Sequence, residues 1–273
     1  MINLMSGEWY KWKKSRSFAY CLFTAFGIVL FVWGTLWFAS KVESGEIKNS
    51  TVSVEYTETD IQEDLISEIG ILAVVQNCIN GGFASIFMSI YICIWIIGEY
   101  THGAIKNIVG KGYSRSSIFL VKYSFTVVIS LLLNLFVMVS AFLVGLAVAG
   151  QENTGGMLWQ QFFSYMGIQL MLGVAFSSMI VVVSEFTRTM GAGIGISMIL
   201  VIFSNLVGSG LDLFFQAVNI PIKIGAYWIT NVIAECPIEV ISSDFVGRAV
   251  FVSLLWTILF FWAGLIHFQR TDI

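Results

Sequence analysis

Residues 98–123 read GEYTHGAIKNIVGKGYSRSSIFLVKY, a polar and cationic run set between two long stretches without charge. Outward from it the pattern repeats: uncharged segments of bilayer length recur at 18–40, 69–98, 123–151, 155–184, 189–211 and 249–266. A bilayer core of ~30 Å takes ~20 apolar residues as helix, so six spans are expected. A transmembrane barrel would instead alternate apolar and polar residues over strands of about ten, and these runs are continuous. The composition agrees: 57% hydrophobic, 15% aromatic, 11% charged and a mean hydropathy of +0.84. The expected fold is an all-α polytopic membrane protein forming a single transmembrane domain over 1–273. The basic KWKKSR start precedes an apolar run longer than a secretory h-region of ~7–15 residues, so the first span reads as uncleaved.

Charge sets the orientation. Lys11, Lys13, Lys14, Arg16, Lys106, Lys111, Arg115, Lys122, Arg188 and Arg270 fall on one side of the six spans, against Lys41, Lys48, Lys223 and Arg248 on the other. Basic loops stay in the cytosol, which puts both termini inside. The opposite side collects thirteen of the seventeen acids, eight of them in 41–68. The stretch 212–248, interrupted by Pro221, Lys223 and Pro237, reads as an outer-face segment that enters the membrane and returns.

On a helical wheel at ~100° per residue, Tyr100, Ala104, Ile105, Ile108 and Val109 share one half. Glu99, His102, Lys106 and Asn107 share the other. Residues 99–117 are thus expected to hold a short amphipathic helix on the cytosolic surface, ended by Gly110 and Gly112, with Ser114 or Ser116 capping the next span. Its charged face fits a docking element for a cytosolic partner; a basic loop that only fixes topology is the plainer alternative.

Glu99, Gly103, Lys106, Ser114-Arg115 and Lys122 resemble the corresponding stretch in permease subunits of type-2 ABC exporters, above all the small bacitracin and lantibiotic immunity permeases. Ala104 stands where that family often has Thr. An amphipathic start over 1–17, a dipping segment before the last span and the closing HFQRTDI are similar too. The resemblance implies that the helix after the second span is a coupling helix seated in a separate ATPase subunit, with Glu99, His102, Gly103, Lys106 and Arg115 as docking residues. It also implies two copies of the ATPase, a second permease subunit, identical or related, and ATP and magnesium held on the ATPase. The second and fifth spans would line the substrate path; Asn80, Phe83, Phe87, Tyr91 and Asn205 are the candidates there.

The energy source follows by elimination. Gly110-Lys111-Gly112 is the nearest approach to a phosphate-cradling G-x-x-x-x-G-K-[ST] loop and lacks its first Gly and its Ser or Thr. Ion-coupled carriers bury charges within their spans, and the six segments as bounded above contain none. No metalloprotease or serine-hydrolase motif falls within them, so catalysis by this chain is not expected. Cys21, Cys78, Cys93 and Cys236 show neither disulfide nor metal spacing. The loop 41–68, with eight acids against two Lys, carries Glu55, Glu58, Asp60, Glu63 and Asp64 in its densest part. Those five could attract a cationic peptide. The expected function is an ATP-driven export permease for a peptide, antibiotic or other amphipathic substrate in the bacterial plasma membrane. The alternative from another class is a signalling or scaffold protein docking a non-ATPase partner.

Overall fold

The computed structural model describes residues 2–43, 71–101, 103–149, 156–217, 225–238 and 241–271. Those residues form helices only: α1 (Ile2–Lys14), α2 (Ser17–Glu43), α3 (Ile71–Asn80), α4 (Phe83–Thr101), α5 (Ala104–Gly110), α6 (Arg115–Ala149), α7 (Gly156–Thr187), α8 (Met190–Ala217), α9 (Ile229–Glu235) and α10 (Ser243–Arg270). Helix is what a bilayer demands, because every backbone amide must find its partner inside its own segment.

Among the described residues five stretches are long and apolar enough to cross a membrane: Ser17–Phe38, Phe83–Thr101, Arg115–Ala147, Trp159–Thr187 and Ser243–Arg270. A sixth, Met190–Phe203 in α8, is apolar but shorter. The layout has a centre and a rim. Over an 18-residue apolar stretch of each helix, 61% of residues in α4 and 67% in α7 are buried, against 17% in α2 and 22% in α10. The outer helices therefore present apolar side chains outward, among them Phe23 and Phe31 of α2 and Phe251, Ile258 and Trp262 of α10. In water this surface would be an aggregation hazard; in lipid it is the expected exterior. Small polar contacts stitch the centre, with Cys93 of α4 beside Ser184 of α7 at 3.4 Å and Ser197 of α8 at 3.3 Å.

Three local features differ from the sequence reading. The stretch 69–98 is two helices, broken where Gly82 adopts a φ of 80°, a left-handed turn that glycine takes without a Cβ clash. α4 then runs on through Glu99 and Tyr100, and the amphipathic helix expected from Glu99 begins only at Ala104. Its elbow is Gly103, at φ 65°. α8 also continues past the expected end of its span, so the described residues of 212–248 include the last turns of α8, a 3-10 turn at Gly225–Tyr227, the short α9 and the first turns of α10. α9 buries Ile229–Ile233 against α3, α7, α8 and α10.

Of the fifth-span glycines, Gly193 meets α4 closely. A Cβ there would lie 2.3 Å from Ile97 Cδ1, while Gly191 and Gly195 have nothing within 4 Å. The close-packing role of small residues in membranes thus belongs to Gly193. The end of α5 at Gly110, with Gly112 left-handed, and the Ser114 cap on α6, whose Oγ accepts from Ser117 N at 3.3 Å, agree with the sequence. The loop bearing Glu55, Glu58, Asp60, Glu63 and Asp64 lies outside the described residues, as does His102.

Candidate functional site

At the end of the bundle that carries α5, four helices and the turn after α7 meet around charge. Glu99, in the last turn of α4, is 4% exposed and pairs with two amines. Lys11 of α1 reaches its Oε1, and Lys122 of α6, itself 4% exposed, reaches its Oε2. Lys11 also approaches Glu8 Oε2 at 3.5 Å, one turn back on α1. On the far side of Lys122, the Tyr100 hydroxyl donates to Glu185 Oε2, in the last turn of α7. Arg188, in the left-handed turn between α7 and α8 at φ 51°, stacks over Tyr100 at 5.1 Å from the ring centre.

Three acids and three bases thus alternate through the junction of α1, α4, α6 and α7. Buried charges persist only when paired, and here each acid has a named partner. Burial pushes the Lys11 ammonium down from its usual range, with Glu8 opposing that shift. An aromatic wall packs beside the cluster: Trp12, Phe18, Tyr91, Trp95 and Phe125 lie ring on ring at 5.0–6.2 Å.

The sequence-predicted docking residues separate. Glu99 lies inside, in the charge cluster. The expectation placed it on an exposed polar face; α4 keeps its helical phase one turn longer than the wheel assumed, and that turn rotates the carboxylate toward Lys122. Arg115 turns to the C-terminus of α10, where its Nη1 donates to Gln269 O at 3.1 Å and to Thr271 O. It thereby satisfies carbonyls that a helix end leaves free. Lys106 stays exposed on α5 together with Asn107, and Lys111 follows. Ile105 is buried beneath them, 1% exposed, anchoring α5 to the bundle.

The pathway candidates divide as well. Asn80 closes a polar knot at the opposite end. Its Nδ2 donates to Cys236 O at 3.0 Å, and its Oδ1 accepts from the Tyr165 hydroxyl at 2.7 Å and Gln169 Nε2 at 3.2 Å. Gln169 reaches on to Ile233 O at 3.0 Å. The α3–α4 break is thereby tied to α7 and α9. A cavity of about 240 Å³ lies beside it, lined by Gly82, Ser85, Ile86, Val201 and Thr230. Phe83 and Phe87 are half-buried against the core, whereas Tyr91 is buried beside the charge cluster. Asn205 falls in α8, and its side chain is outside the described residues.

Sequence reasoning missed Glu8, Tyr100, Lys122, Glu185 and Arg188 as members of one site. A signal was present. Of the four acids on the strongly basic side, Glu8, Glu99 and Glu185 are the three in this network.

The family model described as "ABC-2 family transporter protein" matches residues 4–204. The chain belongs to the ABC-2 transporter family. It is therefore a permease component of an ABC transporter, a multi-pass membrane protein of a family whose members generally work with an ATPase subunit and are not themselves catalytic. The matched residues include all but the first two residues of α1, the whole of α4 and α5, and the charge cluster. No curated protein matches the chain.

Proposed function

We propose that this ABC-2 permease is the membrane subunit of a bacterial exporter of the bacitracin and lantibiotic immunity type, moving a peptide, antibiotic or other amphipathic substrate outward. α5 is its coupling helix. Two permease subunits, identical or related, flank the path and two ATPase copies sit beneath them, with ATP and magnesium on the ATPases. In this reading α8 completes a sixth crossing, both termini lie in the cytosol and α9 dips into the outer leaflet. The acidic 41–68 loop raises the local concentration of a cationic substrate by long-range attraction.

The observation that carries the reading is the construction of α5. It is seven residues long, turned sharply out of α4 by Gly103, fixed by Ile105, and it offers Lys106, Asn107 and Lys111 outward. Its root is the last turn of α4, where Glu99 and Tyr100 join α1, α6 and α7. A push on α5 therefore reaches the central helices through ion pairs and not through a loose linker. The docking face accordingly consists of Lys106, Asn107 and Lys111, with Gly103 as its hinge. Glu99 roots it in the charge cluster, while Arg115 holds the end of α10.

Affinity purification in mild detergent, with mass spectrometry of what accompanies the chain, tests this. An ATPase with a phosphate-binding loop is expected with the parent protein. It should be lost from the Lys106→Glu, Lys111→Glu double variant, since reversing two exposed charges leaves the packed side of α5 intact. Equal recovery from parent and variant contradicts the docking face; a parent accompanied by no nucleotide-binding protein contradicts the function.

A further inference from the structure

A second cavity, of about 310 Å³, opens beside the charge cluster. The elbow between α1 and α2 contributes Lys11, Ser15 and Ser17, and α4 contributes Tyr91, Trp95 and Glu99. One end is polar and the rest is apolar and aromatic. Exposure decides which charge a ligand meets: the Lys11 side chain is 40% exposed, those of Glu99 and Lys122 5% each. Glu99 is enclosed by its two amines, so the accessible group is the cation. Lys13, Lys14 and Arg16 stand exposed on the same elbow, giving residues 8–17 four cations against Glu8.

The neutral donors point the same way. Ser15 and Ser17 carry hydroxyls on the cavity lining, and the Lys11 ammonium lies 4.4 Å from the centre of the Trp95 ring, over its face. An acceptor-rich anion would answer the ammonium and the hydroxyls. The volume holds on the order of ten waters, enough for a phosphate and the first methylenes of a chain but not for a folded peptide. The elbow also opens the first span, which sets the polar end at headgroup depth and the aromatic wall beneath it.

We propose that this cavity binds a phosphate-headed amphiphile, an acidic membrane phospholipid, with the phosphate at Lys11 and Ser15 and the chain lying along Tyr91, Ile94 and Met190. The bound phosphate sits against the amine that holds Glu99. Lipid composition thereby touches the root of the coupling helix.

The test uses the full chain in phosphatidylcholine nanodiscs with no ATPase present, so its outcome is independent of the proposed transport role. A trace of phosphatidylglycerol carrying a photoreactive group near the head end of one chain is compared with the same probe built on phosphatidylcholine, and labelled peptides are mapped. The acidic probe should concentrate on residues 91–98 and Met190. Lys11→Gln should lower its preference over the neutral probe about fivefold, the effect of one cation beside an acidic headgroup.

Gly98→Leu is the second variant, because it fills the cavity from a position where a Cβ meets only Met190 Cε at 3.6 Å and leaves the ion pairs alone. Labelling at 91–98 should vanish in it while labelling on the outward faces of α2 and α10 persists. Excess glycerol phosphate separates the sources: unchanged labelling assigns the site to lipid, and displacement overturns the lipid assignment in favour of a soluble phosphate ester. Equal labelling by the two probes, or undiminished labelling in Gly98→Leu, overturns the site altogether.

Discussion

Glu99 is surrounded by more charge than any neighbour in its sequence would indicate, since both of its amines come from distant helices. Removing one member of a buried ion pair typically costs ~3–5 kcal/mol, because the remaining charge is stranded. Glu99→Gln strands Lys122, which is 5% exposed, more than Lys11, which is 40% exposed and retains Glu8. A marked fall in the thermal unfolding midpoint is expected for Glu99→Gln, with part of it recovered when Lys122→Met is added, since the double change removes the stranded ammonium while Glu185 keeps the Tyr100 hydroxyl. A single variant as stable as the parent would show that the carboxylate is solvated. Gly103 makes a separate point. Its φ of 65° costs any other residue roughly 1–2 kcal/mol, so Gly103→Ala should lower stability by about that amount, read as a shift in the denaturation midpoint. No shift would mean that the elbow relaxes without cost.

At the scale of elements, two glycine breaks organise the chain, and they differ in how they could be read beforehand. The Gly110 and Gly112 stop was visible because polar residues surround it. The Gly81-Gly82 break sits inside an apolar run, where hydropathy reports only that the segment belongs in the membrane. What holds that break is the Asn80 knot, whose partners Tyr165, Gln169 and Cys236 lie in α7 and just beyond α9. Such pairings follow from tertiary packing and leave no local pattern. Asn80→Leu unpairs the Cys236 carbonyl and weakens the hold on α9, and a buried polar group left unpaired costs ~1–3 kcal/mol. Faster cleavage by an added protease in the 218–242 region, with α5 unaffected, is the expected result. A cleavage rate equal to the parent's would show that α9 is held by apolar packing alone.

At the scale of the molecule, the sequence disclosed the membrane class, the charge asymmetry and the place of the short helix after the second span. Composition and period determine these. It did not disclose that the ends of α4, α6 and α7 carry a shared charge cluster, because segment boundaries drawn at the first charged residue place Glu99, Lys122 and Glu185 outside the spans. In the folded chain the helices run on through them, since each charge finds an opposite one across a helix interface. The consequence is mechanical: α5, the proposed docking helix, is rooted in the charge-paired junction of α1, α4, α6 and α7.

The central claim, that α5 is where a separate ATPase delivers its stroke, can be tested without knowing the substrate. A photo-crosslinking amino acid placed at Asn107, exposed on α5, is irradiated in intact cells of the native host, with Phe251 on the outward face of α10 as the control position. The predicted result is a single crosslinked adduct from Asn107 to an ATPase bearing a phosphate-binding loop, and none to it from Phe251. An Asn107 adduct only to proteins without nucleotide-binding motifs, or no protein adduct there, would contradict the account.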